Sequence, residues 1–132
     1  MPEIRIPAQA DRLDELLEFV GGAIAEIDMK IQSKINIAIE EVFVNVANYA
    51  YSDGNGSVTV RITVDPDEFT ARFTDSGTPF DPLAKPDPDT SLSADERTIG
   101  GLGIYMVKNL MDSVEYRYEN NENTLTIKTR LL

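Results

Sequence analysis

The chain has 132 residues, 23 acidic and 12 basic side chains, a formal net charge of -11, and no histidine, cysteine or tryptophan. One domain of this length buries a core without disulfides or structural metals, and the composition excludes a cysteine nucleophile, thiolate or imidazole metal sites, Ser-His-Asp triads and phosphohistidine chemistry in this chain. The acidic balance argues against binding to nucleic acid or anionic membrane, and proton transfer is left to carboxylates, Lys, Tyr or water.

The opening MPEIRIPAQADRLDELLEFV has no basic stretch followed by a long apolar run, and no segment reaches the apolar length of a membrane span. A soluble cytoplasmic protein is the expectation. Glu3 to Pro7 alternates and reads as a short strand closed by proline. Asp11 reads as the N-cap of a helix with Leu13, Leu16, Leu17, Val20, Ile24 and Ile27 at helical spacing, weakened near its end by Gly21-Gly22. A second helix runs from about Met29 to Tyr51, capped by Asp28, and stops at the turn signal Ser52-Asp53-Gly54-Asn55-Gly56. Ser57 to Val64 and Glu68 to Thr74 read as a hairpin joined by Asp65-Pro66-Asp67.

Pro79, Pro82, Pro86 and Pro88 exclude a long regular element between Asp75 and Gly103, and Lys85 to Thr98 reads as a mobile loop. Leu102 to Met111 reads as a helix beginning on glycines. Val114 to Tyr118 and Thr124 to Leu131 close the chain as a second hairpin that turns over Glu119 to Asn123. The order β-α-α-β-β-loop-α-β-β predicts an α+β fold: a two-layer sandwich with a mixed or antiparallel sheet and helices on one face. One domain over residues 1–132 is expected.

Three elements bear chemistry. On the second helix, Glu41, Asn45 and Asn48 share one face beside the apolar stripe Ile31, Ile35, Ile39, Val42, Val46 and Ala50. Such a stripe is often a solvated boundary; it also suits a hard cation or a reacting hydroxyl. Asp75-Ser76-Gly77-Thr78-Pro79 follows a strand. It reads as an ordinary turn, or as a carboxylate aimed at a ligand with a glycine that lets the ligand approach the backbone. Gly100-Gly101-Leu102-Gly103 before a helix is either a hinge or an anion site made of backbone N–H groups and the helix dipole. It matches neither a Walker loop nor a dinucleotide fingerprint.

The order and spacing of these elements resemble the GHKL ATP-binding fold of gyrase-type ATPases, mismatch-repair ATPases and histidine kinases, and within it the short bacterial anti-sigma-factor serine kinases. EEVFVNVANYAY resembles the N-box, DSGTPFDP the first glycine box and GGLGIYMVKNLMD the second, and KNLMDSVEY and NTLTIKT are similar to that subfamily. The resemblance runs from IRIPA to the final strand. It implies ATP or ADP and Mg²⁺ as ligands, with Glu41 as general base on the attacking hydroxyl and Asn45 as the Mg²⁺ ligand. It implies Asp75 on the adenine amino group with Gly77 packed near the base, and Gly101, Gly103 and the following helix on the phosphates. Thr124 would support the adenine site, residues 83–99 would form the ATP lid, and Asn48, Tyr49, Arg97, Gly100 and Leu102 would complete the nucleotide contacts.

The sequence departs from that pattern at Tyr49, where the family often has histidine, and at Asn123, which replaces a glycine before Thr124. Arg97 is the nearest counterpart of the family's arginine ahead of the second glycine box, although a gapless alignment puts Ile99 there. The resemblance implies an ATP-dependent protein serine kinase that restrains a sigma factor and phosphorylates a serine of an anti-sigma antagonist (STAS) domain, commonly as a homodimer. The alternative is a nucleotide-binding switch that does not transfer phosphate. An acidic interaction domain with no ligand would leave the three ordered elements as coincidence.

Overall fold

A computed structural model of the chain describes residues 2–51, 56–84 and 101–131. Strands β1 (Glu3–Pro7), β2 (Ser57–Val64), β3 (Glu68–Asp75), β4 (Ser113–Glu119) and β5 (Glu122–Arg130) form one sheet in the order β1-β2-β3-β5-β4. Every neighbouring pair is antiparallel. Helices α1 (Leu13–Ala23), α2 (Met29–Tyr49) and α3 (Gly101–Leu110) supply the second layer, giving the α+β sandwich. No helix among the described residues is long and apolar enough to cross a membrane.

Strand alternation divides the sheet into two faces. Val58, Val60, Ile62, Phe69, Ala71, Phe73, Leu125 and Ile127 turn one face into the core, where they meet Leu16, Val20, Ile35, Ile39, Val42 and Phe43 of α1 and α2 and Ile104 and Val107 of α3. Burying each large apolar side chain of this set contributes about 1.5–3 kcal/mol. The other face carries the intervening residues, among them Arg5, Thr59, Arg61, Arg72, Thr74, Thr124, Thr126 and Lys128.

The helix ends differ from expectation in three places, the first being that α1 ends at Ala23 with Ile24 as its C-cap, so that Ile27 lies beyond the helix. Asp11 does not cap α1: it lies inside a 3-10 turn, Ala10–Arg12, and α1 starts one turn later behind Arg12, which makes no side-chain cap. Arg12 instead pairs with Glu15 at 2.7 Å. Asp28 does cap α2, its Oδ1 accepting from the Lys30 N–H at 3.1 Å. That helix stops at Tyr49 rather than Tyr51, with Ala50 as its C-cap, and the Ala50 carbonyl accepts from the Thr78 N–H at 2.6 Å. The Ser52–Asn55 part of the following turn lies outside the described residues.

The final hairpin is tighter than the five-residue turn read from sequence. Asn120 and Asn121 both have positive φ, 54° and 63°, the requirement of a two-residue primed turn. β5 therefore starts at Glu122, which fixes the face on which each following side chain falls.

Candidate functional site

The site is built where β3 ends against the C-terminus of α2. Asp75, the last residue of β3, is 6% exposed. Its Oδ1 accepts from the Gly77 N–H and from Asn123 Nδ2, each at 2.9 Å, and Oδ2 has no hydrogen bond among the described residues. The next loop is tied down at each step. The Ser76 N–H donates to the Tyr51 hydroxyl at 3.0 Å, and that hydroxyl donates to the Ser57 carbonyl at 2.7 Å. A Cβ on Gly77 would sit 2.1 Å from the Ala50 carbonyl oxygen, so this glycine lets the loop press on the helix end, a packing role within the chain itself.

Asn123 is the hub of the loop. Besides Asp75, its Nδ2 donates to the Thr78 carbonyl at 3.0 Å, and its Oδ1 accepts from the Phe80 N–H at 3.2 Å and from the Tyr116 hydroxyl at 2.5 Å. Burial raises the Tyr116 pKa above the ordinary phenol value, with the Phe80 backbone hydrogen bond opposing and the charges of Asp81 and Asp75 adding to the rise. The hydroxyl is therefore a donor at neutral pH.

Around this hub lies a cavity walled by Val42, Val46, Ala50, Phe73, Phe80, Pro82 and Leu125, with Asp75, Asn45, Asn123 and Tyr116 as its polar members. Its volume is about 30 Å³, roughly that of one water. A planar base therefore enters only when lining side chains move. Phe80 is stacked on Tyr49, ring centroids 4.9 Å apart and planes 17° from parallel. A larger open groove of about 820 Å³ lies on the polar side and includes Arg5, Ser57, Thr59, Thr74 and Glu122. The small cavity is the better ligand site despite its size, because apolar walls with few placed polar groups bind and orient a ring.

On α2, Asn45 lines the cavity, Glu41 lies one turn before it, half-buried, and Asn48 lies one turn after it, exposed. Burial, and secondarily the charge of Glu40, raises the Glu41 pKa above the usual carboxylate value. The Asn45 carboxamide makes no hydrogen bond among the described residues, so its oxygen is available to a cation. Among those residues no cluster of three or more acidic side chains is placed to hold a metal. A single carboxamide oxygen nevertheless fits Mg²⁺, which keeps waters and takes its remaining ligands from phosphates.

Gly101 is the first residue of α3. The glycines Gly101 and Gly103, with Leu102, therefore form the first turn of the helix rather than a segment ahead of it, and supply its unpaired N–H groups. α3 packs on α2 and on the 3-10 turn Pro82–Ala84 that follows the Asp75 loop. Arg97, Gly100 and the lid from residue 85 onward lie outside the described residues.

Thr124 is a correction. It pairs with Thr74 and Arg117 on the polar face and lines a groove there with Arg72, Glu115 and Lys128. Asn123, directly opposite Asp75 in the ladder, points into the cavity in its place. A one-residue shift along a strand exchanges the two faces. Sequence reasoning named Asn123 only as a departure and missed Phe80 and Tyr116. The available signal was Asn120-Asn121, which as a primed turn starts β5 at Glu122 and puts Asn123 in phase with Leu125 and Ile127.

The sequence matches the family described as "Histidine kinase-like ATPase domain" over residues 6–129. It is 29% identical to the serine-protein kinase RsbW of Bacillus subtilis, covering 98% of this chain and 84% of that protein. It is 30% identical to RsbW of Bacillus pumilus, covering 86% and 75%. To RsbW of Listeria monocytogenes it is 28% identical over 71% of this chain, spanning 63% of that protein's length. Among solved structures it is similar to the RsbU and RsbW domains of a Mycobacterium tuberculosis protein, with TM-score 0.60, 19% identity, and coverage of 99% of this chain and 33% of that one. The catalytic domain of the histidine kinase ThkA gives TM-score 0.56 and 12% identity, with 99% and 97% covered. At these identities the two structures bear on the fold.

Proposed function

Because the chain belongs to the histidine kinase-like ATPase domain family, we propose that it is an ATP- and Mg-dependent protein serine kinase. In this reading it is an anti-sigma regulatory factor that phosphorylates a serine of an anti-sigma antagonist (STAS) domain in bacterial partner switching, acts in the cytoplasm and also binds a sigma factor. The near-full-length likeness to RsbW of Bacillus subtilis supports this class. The observation that carries it is the meeting of Asp75 and Asn45 in one apolar-walled cavity, with Glu41 one turn along the same helix.

Each residue then has a task. Asp75 Oδ2 accepts a hydrogen bond from the amino group of the base, and the apolar walls take its ring. The first turn of α3, with Gly101, Leu102 and Gly103, holds phosphate oxygens through backbone N–H groups and the helix dipole. Asn45 holds Mg²⁺, which when bound neutralises triphosphate charge, a demand made acute by the chain's net charge of -11. Glu41 accepts the proton of the attacking serine hydroxyl, and its pKa, raised by burial, strengthens it as a base. Asn48, Tyr49, Gly100 and Arg97 are proposed as further contacts at the mouth and lid. Phosphorylation adds about 1.5–2 negative charges to the antagonist, which the acidic kinase then repels.

The test is incubation with Mg-ATP and the cognate antagonist, followed by mass measurement of the antagonist. Transfer that is lost in Glu41→Gln supports the mechanism, and full transfer by that variant rejects it. The second reading, a nucleotide-binding switch without phosphoryl transfer, is favoured by the Tyr49–Phe80 stack, which holds Tyr49 against the cavity wall. Tight ATP binding with no transfer to any antagonist selects it. If neither ATP nor ADP with Mg²⁺ raises Tm, both readings fail.

A further inference from the structure

The side-chain hydrogen bonds of Asn123 go to the site's own scaffold. A carboxamide has two N–H donors and one oxygen with two lone pairs. Here all four are engaged: the donors with Asp75 Oδ1 and the Thr78 carbonyl, the oxygen with the Phe80 N–H and the Tyr116 hydroxyl. Asn123 itself is 6% exposed, so its own four bonds are made away from bulk water. No other side chain of this length offers the set: aspartate lacks the donors, threonine has one, leucine none. The bonds join the end of β3, the loop after it and β4 through a residue whose position is set by ladder pairing with Asp75.

From this we infer that Asn123 is a positioning residue for the nucleotide base. By occupying Asp75 Oδ1 together with the Gly77 N–H, it leaves Oδ2 as the oxygen presented to the ligand. By holding Thr78 and Phe80 it sets the cavity wall against which the ring lies. The site then demands a hydrogen-bond donor on the base and disfavours a carbonyl at that point, because an acceptor would face a desolvated carboxylate. The inference rests on the nucleotide reading above and extends it to a residue whose four hydrogen bonds all go to the site's own scaffold.

The experiment uses the full chain, wild type, Asn123→Asp and Tyr116→Phe. Calorimetry gives affinities for Mg-ATP, Mg-GTP and Mg-tripolyphosphate below the Tm of each variant, and hydrogen exchange reads the Phe80 amide. Asn123→Asp keeps the shape and replaces the donors with a second carboxylate. It should weaken ATP by about 30-fold, cut the ATP-to-GTP preference about tenfold and leave tripolyphosphate within about twofold, as expected for one misaligned hydrogen bond to a charged group. Tyr116→Phe removes one donor and should weaken ATP about threefold, with faster Phe80 exchange and an unchanged tripolyphosphate affinity.

An unaltered ATP-to-GTP preference in folded Asn123→Asp, or an equal loss of ATP and tripolyphosphate, overturns the inference and leaves Asn123 a structural staple. If Asn123→Asp does not fold, Tyr116→Phe decides, and unchanged ATP affinity with unchanged Phe80 exchange overturns it. Wild-type protein that binds no Mg-ATP rejects the nucleotide reading and this inference with it, whereas wild-type binding with indifferent variants rejects the inference alone.

Discussion

Replacing Gly77 by alanine tests how the base site is built. The constraint there is space rather than a left-handed backbone: the added Cβ would meet the Ala50 carbonyl oxygen at 2.1 Å, its carbon at 2.6 Å and the Ala50 Cβ at 2.8 Å. Two of the three are backbone atoms at the end of α2, so no rotamer change relieves the clash, and the loop must lift. Lifting breaks the Gly77 N–H bond to the Asp75 carboxylate and the Thr78 N–H bond to the Ala50 carbonyl. The first contributes about 1.5–3 kcal/mol and the second about 0.5–1.5 kcal/mol, a loss of about 2–4.5 kcal/mol in stability. Against a typical total of about 5–15 kcal/mol the variant remains folded. Asp75, released from Gly77, no longer presents its free oxygen in register. Misaligning that charged hydrogen bond costs about 1.5–3 kcal/mol of binding, roughly 10- to 150-fold in Kd for Mg-ATP. Urea denaturation and calorimetric titration measure the two losses. A stability change below about 0.5 kcal/mol, the range of neutral surface substitutions, together with an unchanged Kd, would refute the packing account.

Glu41→Gln should lower phosphoryl transfer by about 10²- to 10⁴-fold and leave Mg-ATP affinity unchanged, as read by mass spectrometry of the antagonist and by calorimetry. The pH dependence follows from the raised Glu41 pKa. The folded state holds this proton more tightly than the unfolded chain does, so the ionised form of Glu41 costs stability above the folded pKa, and the cost disappears as pH falls through the folded pKa towards the unfolded value. Glu41→Gln should therefore melt no lower than wild type at pH 7, while wild-type transfer fails on the acid side at a pH above the usual carboxylate range; a lower Tm for the variant contradicts the first point. Asp75→Asn puts an amide donor against the amino group of the base and should weaken ATP by about 10- to 150-fold in the same titration. Chelating Mg²⁺ with EDTA should sharply reduce ATP affinity, since in the proposed site Mg²⁺ at Asn45 offsets the triphosphate charge in a chain of net charge -11, and affinity unchanged in chelator contradicts that account. Asn120→Val places a β-branched residue at φ 54° and should cost about 1–2 kcal/mol in urea denaturation, whereas Asn121→Gly should be neutral or slightly stabilising.

Much of this molecule was legible in one dimension. β1 and β2, the start of α2 at its Asp28 cap and the hairpin through Asp65-Pro66-Asp67 follow from alternation, helical spacing and turn residues, because local periodicity reports which face of an element is buried. Glu41 and Asn45 are close because they are four residues apart on one helix, a relation needing no tertiary information. Asp75 was legible as a strand-end carboxylate next to a turn.

The errors share a cause. Asp11 was assigned a cap that a 3-10 turn displaces, the end of α2 was placed two residues late where the Asp75 loop docks on Ala50, and Thr124 was expected to support the adenine site but lies on the opposite, polar face. Each depends on a neighbour or turn that local pattern does not specify. The sequence by itself determined the layer architecture, the class of chemistry open to a chain without histidine or cysteine, and the helix that carries Glu41 and Asn45, the proposed base and cation ligand. Only the tertiary structure decided that Asn123 rather than Thr124 faces Asp75, that Gly77 is needed by the end of α2, and that Phe80 and Tyr116 close the cavity. The physical reason is parity and pairing: a strand's side chains alternate with a period of two, and the turn at Asn120-Asn121 together with the β3–β5 register sets which of them enter the site.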